Sequence, residues 1–124
     1  MKLRPFLIIV SVVALVYALG MLLLPTFMAT TYGLGTSASE ILLARFFGVA
    51  MLALGLITWL SKDLTGASIR PVIIGSLIGD VVGAIVALMG TLSGVMSAVG
   101  WSAFGIYFLF TLGFAYFQFM APSK

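Results

Sequence analysis

From Pro5 to Ser39 the chain carries no charged residue, and the first 20 of those positions, Pro5 to Leu24, are almost entirely apolar. A helix rises about 1.5 Å per residue, so such a run is long enough to cross a hydrocarbon core of about 30 Å. A secretory signal peptide is the competing reading, with Lys2 and Arg4 as its basic start and Ala18-Leu19-Gly20 as a loose cleavage site. Its apolar stretch is normally only about 7 to 15 residues, so a membrane span is the expectation. The rest of the chain repeats the pattern: 63% of residues are hydrophobic and 7% charged, with mean hydropathy +1.31. Soluble domains carry about 25% charged residues.

The breaks between apolar runs give the organisation. Pro25 to Ser39 holds a proline, two glycines and six Ser or Thr hydroxyls, which predicts a loop or a short interfacial turn. Ser37-Ala38-Ser39-Glu40 then has the spacing of a capping box, so a second span is expected over 39–61, ending at Lys62-Asp63. Pro71 sits where a first-turn proline is tolerated and opens a third span over 71–92. Gly94 marks a tight turn within Ser93 to Ser97, and a fourth span over 98–120 follows. The fold class is therefore all-α, a bundle of four transmembrane helices forming one membrane domain over residues 1–124 with spans at 5–24, 39–61, 71–92 and 98–120.

Charge orients the bundle. With four spans, the N-terminus, the connection between spans two and three, and the C-terminus share a side, and they carry Lys2, Arg4, Lys62, Arg70 and Lys124. The two opposite connections carry no Lys or Arg. The positive-inside rule then places both termini in the cytoplasm. Trp59 and Trp101 fall near span ends, at the interfacial depth indoles prefer. The sequence pI of about 9.6 does not imply a nucleic-acid partner, because the basic residues are few and scattered.

Packing is expected to follow small residues. Gly75, Gly79 and Gly83 recur every four positions along span three, continued by Ala87 and Thr91. Such a row lets two helix backbones approach closely, within the chain or against a second copy, and Ala44, Gly48 and Gly55 of span two form a row that could face it. The eight Phe and Tyr rings of span four go round the helix, which suits lipid contact and core packing rather than a pigment or quinone box.

Two charges sit inside spans. Asp80 lies ten residues after Arg70, about 15 Å deep and near the bilayer midplane. A charge there costs roughly 2.5 to 3.5 kcal/mol on insertion scales, so the carboxyl is expected to be protonated, paired or facing water. Arg45 is shallower by about 9 Å of helix rise. The pair is read either as an intramembrane ion pair fixing how spans two and three pack, with Glu40 and loop carbonyls as other partners for Arg45, or as a proton or cation site at Asp80 with Ser76 beside it. Glu40 is accounted for as the capping carboxylate.

Catalysis is not expected. The chain has no His and no Cys, hence no nucleophile and base pair, no carboxylate dyad and no zinc or haem ligand set. No phosphate-cradling loop is present and no cofactor is predicted. Leu24-Pro25-Thr26-Phe27 leading to Tyr32-Gly33, Ala44-Arg45-Phe46-Phe47-Gly48 opening span two, and Trp101 opening span four together resemble the small four-helix membrane proteins of the DoxX-like and DUF4345-like families. The resemblance covers most of the chain. It implies a four-helix bundle in a prokaryotic cytoplasmic membrane, and some DoxX relatives are associated with quinone-linked sulfur oxidation complexes. It defines no cofactor or catalytic residue to place here. Two functions are carried forward. The first is an accessory or scaffold subunit, partnered by the lipid bilayer and by itself or a larger membrane complex. The second is a small oligomeric proton- or cation-coupled transporter or channel that uses Asp80.

Overall fold

A computed structural model describes residues 2–120 as five helices with no strand among them. They are α1 (Leu3–Leu23), α2 (Pro25–Thr31), α3 (Ala38–Leu60), α4 (Arg70–Leu92) and α5 (Gly100–Ala115). One 3₁₀ turn, Gly66–Ser68, precedes α4, and α5 continues through a widened π turn, Tyr116–Met120. Four helices are long and apolar enough to cross a membrane: α1, α3, α4 with its leading turn, and α5 with its continuation. The protein is an all-α four-helix bundle of membrane type.

The expected boundaries of the spans agree with these helices to within two residues, α5 being carried to Met120 by its π turn. The start of α3 is a complete capping box: the Glu40 N–H donates to Ser37 Oγ at 3.3 Å, and the Ser37 N–H donates to Glu40 Oε1 at 3.2 Å. The segment after Pro25 differs, because it forms α2 rather than a loop. Pro25 at the first helical turn loses no hydrogen bond. Gly33, at φ +74°, ends the segment, and a side chain there would also lie 2.8 Å from the Ser97 backbone nitrogen. That closeness serves a tie between loops: the Ser97 N–H donates to the Tyr32 carbonyl at 2.8 Å and Ser97 Oγ to the Thr31 carbonyl at 2.9 Å.

The opposite end holds the charges. Arg4 Nε donates to Asp63 Oδ1 at 2.7 Å, joining the start of α1 to the segment after α3. Lys62 Nζ lies 3.6 Å from Asp63 Oδ2 and 4.4 Å from the centre of the Trp59 ring. Arg70 donates to the Gln118 carbonyl at 3.0 Å and to its Oε1 at 2.8 Å, joining the start of α4 to the end of α5. Lys62, Arg4 and Arg70 therefore gather at one end, with Lys2 next to the start of α1; Lys124 lies outside the described residues.

The bundle is two helix pairs, α1 with α3 and α4 with α5, while α3 and α4 make almost no direct contact. The glycine row of α3 serves the first pair. Side chains at Gly48 and Gly55 would come within 3.2 Å of the Ala18 carbonyl and 3.3 Å of the Leu15 nitrogen, so α1 and not α4 occupies that face. The pairs are joined by a core at the charged end, built from Phe6, Leu7 and Val10 of α1, Ile69 and Ile73 at the start of α4, and Phe114 and Phe117 near the end of α5. The Phe6 ring stands edge-on to Phe114 at 4.8 Å and lies over Gly113, where any Cβ would collide with it.

Three expectations follow. Phe6→Ala lowers stability by about 3 to 5 kcal/mol, and Gly55→Ile by about 1 to 3 kcal/mol through overpacking, both read as loss of resistance to denaturing detergent. Asp63 gives a pH dependence: its bond from Arg4 holds the carboxyl below its ordinary value of 3.8. A depressed folded-state value means that the contribution is present above pH 3.8 and is lost as pH falls through the lowered value. Asp63→Asn should remove that acid-dependent part of the unfolding curve, with little effect at neutral pH because the pair is exposed.

Candidate functional site

Because α3 and α4 stand apart, the bundle holds a half-open cavity of about 660 Å³ lined from every helix. It extends along α3 from Glu40 to Thr58, a helix rise of about 27 Å. Phe114, from the core, forms part of its floor, and Leu34 and Gly35 lie at the mouth beside Glu40. The wall is mainly apolar, interrupted by the hydroxyls of Tyr17, Tyr32, Thr58, Ser76 and Tyr107 and by two carboxyls, Asp80 and Glu40. Among the described residues no Lys or Arg lines it.

Asp80 sits midway along α4, half-buried, on the cavity wall, and Ser76 lines the same wall one turn earlier, as their spacing predicts. The expected pairing with Arg45 does not form. Among the described residues the ion pairs are Arg4–Asp63 and Lys62–Asp63, and Asp80 has no hydrogen-bond partner. The reason is helical phase. Ala44, Phe47, Met51, Leu54 and Thr58 turn the inner face of α3 to the cavity, so Arg45, one residue on from Ala44, is rotated by about 100° and exposed on the outside.

The glycine row of α4 also departs from expectation. Side chains built at Gly75 and Gly79 would meet nothing within 4 Å, so no helix of this chain packs there, and both line the cavity. Only Gly83 is in close contact, with the Tyr107 ring over it. Four-residue periodicity identifies a face of small residues but does not say what that face meets. A second, smaller cavity of about 240 Å³ lies between α3 and α4 and shares Leu54, Thr58, Gly75 and Ser76 with the first. It carries the space outward past Ile57, Pro71 and Val72, into the seam between the two helices.

Two features were not foreseen from sequence. Tyr17 of α1 and Tyr32 at the end of α2 join hydroxyl to hydroxyl inside the cavity, a pairing across 15 positions that only the fold creates. Glu40, read as a cap alone, is a cap that also borders the cavity mouth. No three His, Cys, Asp or Glu side chains come together among the described residues.

The chain contains no cysteine, so each introduced thiol is unique. Ser76→Cys on the cavity wall should react with a small membrane-permeant maleimide in the folded protein, whereas Ile73→Cys, fully buried one turn below, should not. Equal reactivity of the two would show that the cavity is not a distinct accessible space. The chain matches no known protein family, and comparison with curated proteins and with solved structures finds no similar protein.

Proposed function

We propose that the protein is a membrane-embedded carrier that takes up a proton or a cation at Asp80 and works from both helix pairs around the central cavity. One observation carries the reading: an acid at the middle of a membrane helix faces a large internal cavity and has no cationic partner. A purely architectural carboxyl at that depth is expected to be matched by Arg or Lys, since an unmatched charge is costly, and such residues are characteristically functional. The two helix pairs, joined by the aromatic core at one end and by the Ser97 bonds to Thr31 and Tyr32 at the other, make almost no direct contact between α3 and α4 and supply elements that could move against each other. In this proposal the end holding Lys2, Arg4, Lys62 and Arg70 is cytoplasmic, as the positive-inside rule directs. The resemblance to DoxX-like proteins is part of the same proposal and concerns the bundle only.

A second reading, an accessory or scaffold subunit, has its own support. Gly75 and Gly79 are free of neighbours, and Gly75 borders the seam between α3 and α4, where a helix of a second copy or of a larger complex could seat.

The two readings respond to different variants. In liposomes, the carrier reading expects proton or monovalent-cation flux that Asp80→Asn abolishes and Arg45→Gln leaves intact, with both variants normally folded. Flux unchanged by Asp80→Asn would end it. The subunit reading expects Gly79→Leu to abolish assembly while Asp80→Asn has no effect on it.

A further inference from the structure

We infer that the cation held at Asp80 is organic and amphiphilic, a protonated amine on a hydrocarbon body, and that it enters the cavity from the bilayer through the seam between α3 and α4. The inference rests on the carrier reading and names its substrate class and route.

Charge complementarity selects the sign. The chain has six basic and three acidic residues and a net charge of +3, yet two of its three acids, Glu40 and Asp80, line the cavity and none of the basic residues among those described does. An anionic amphiphile would meet two carboxylates and no counter-charge. A neutral one would leave the acids unused.

The composition of the wall selects the body of the ligand. A bare divalent cation asks for about six or more oxygen ligands, and no cluster of three acidic or metal-ligating side chains exists among the described residues. An ammonium needs one carboxylate, and the Tyr107 ring that closes over Gly83, one turn from Asp80, offers an aromatic face beside it. The remaining wall is mainly apolar on every helix that lines it, which suits a hydrocarbon body behind the ammonium.

The seam supplies the route. Gly75 lies on both cavities, and neither Gly75 nor Gly79 has an atom within 4 Å of the place a side chain would occupy. Such a molecule partitions into the bilayer, which bathes this face, and Gly75 is where a bulky side chain would close the passage.

The test uses the full-length protein in liposomes and dodecylammonium carrying a nitroxide at its chain end, with nitroxide-labelled dodecanol as the uncharged match. Electron paramagnetic resonance reads the fraction immobilised by protein. The ammonium probe should show an immobilised component, displaced by unlabelled dodecylamine and reduced about tenfold or more in Asp80→Asn. The alcohol should show little. Gly75→Trp should reduce the component as well, while Ile78→Trp, at an exposed position of the same helix that lines neither cavity, should not; circular dichroism confirms that each variant is folded. Equal immobilisation of alcohol and ammonium, or an ammonium signal indifferent to Asp80→Asn, overturns the substrate class. Full immobilisation in folded Gly75→Trp overturns the route. Asp80-dependent flux of protons or alkali cations without any immobilised ammonium overturns this inference and leaves the carrier reading standing.

Discussion

The two helix pairs of this bundle are held together at one end by the Phe6 ring, set between Gly113 and Phe114 and bordered by Phe117, Ile69 and Ile73. In a membrane, apolar residues gain nothing by leaving lipid for protein, so helices associate through close packing and polar contacts. That packing is concentrated here: α1 meets α3 along Gly48 and Gly55, α5 meets α4 through the Tyr107 ring on Gly83, and the aromatic core joins the pairs. The α3–α4 side lacks all three devices. An open interior is the result of closing the bundle at one end.

Charge follows the same division. The closed end carries the Arg4–Asp63 and Arg70–Gln118 links, each joining elements distant in sequence, and both suit the interface, where Trp59 lies beneath Lys62. The described opposite end has no Lys or Arg and is tied instead by backbone and hydroxyl bonds from Ser97 to Thr31 and Tyr32. The interior is left with carboxyls alone. Had Arg45 been one residue earlier, at the position of Ala44, its side chain would line the cavity and offer the acids a counter-charge. The phase of a single helix thus decides whether Asp80 reads as an architectural ion pair or as an open site.

Local signals were legible in the sequence and long-range ones were not. Uncharged runs set the four spans, and Ser37 with Glu40 marked the start of α3, because hydropathy and capping are decided within a few residues. Asp80 was found because an acid in a span is conspicuous by itself. Its lack of a partner depends on which way α3 is rotated, and the hydrophobic pattern of a lipid-bathed helix says little about that, since lipid and protein neighbours are equally apolar. The Tyr17–Tyr32 pair and the place of Glu40 at the cavity mouth were hidden for a related reason: each depends on how α2 folds back, and α2 itself read as a loop around Pro25.

Gly75 and Gly79 show how one residue type can serve opposite ends. At Gly48, Gly55 and Gly113 the missing side chain is replaced by a neighbour, Met21 and Leu22, Leu15, or Phe6, and the helices close up. At Gly75 and Gly79 nothing replaces it. Helix interiors disfavour glycine by about 1 kcal/mol relative to alanine. Two such residues that no neighbour needs for its own packing leave space on the wall that carries Asp80, and Gly75 also lines the smaller cavity between α3 and α4. The sequence motif that most suggests tight association is, in this fold, the feature that keeps the interior open.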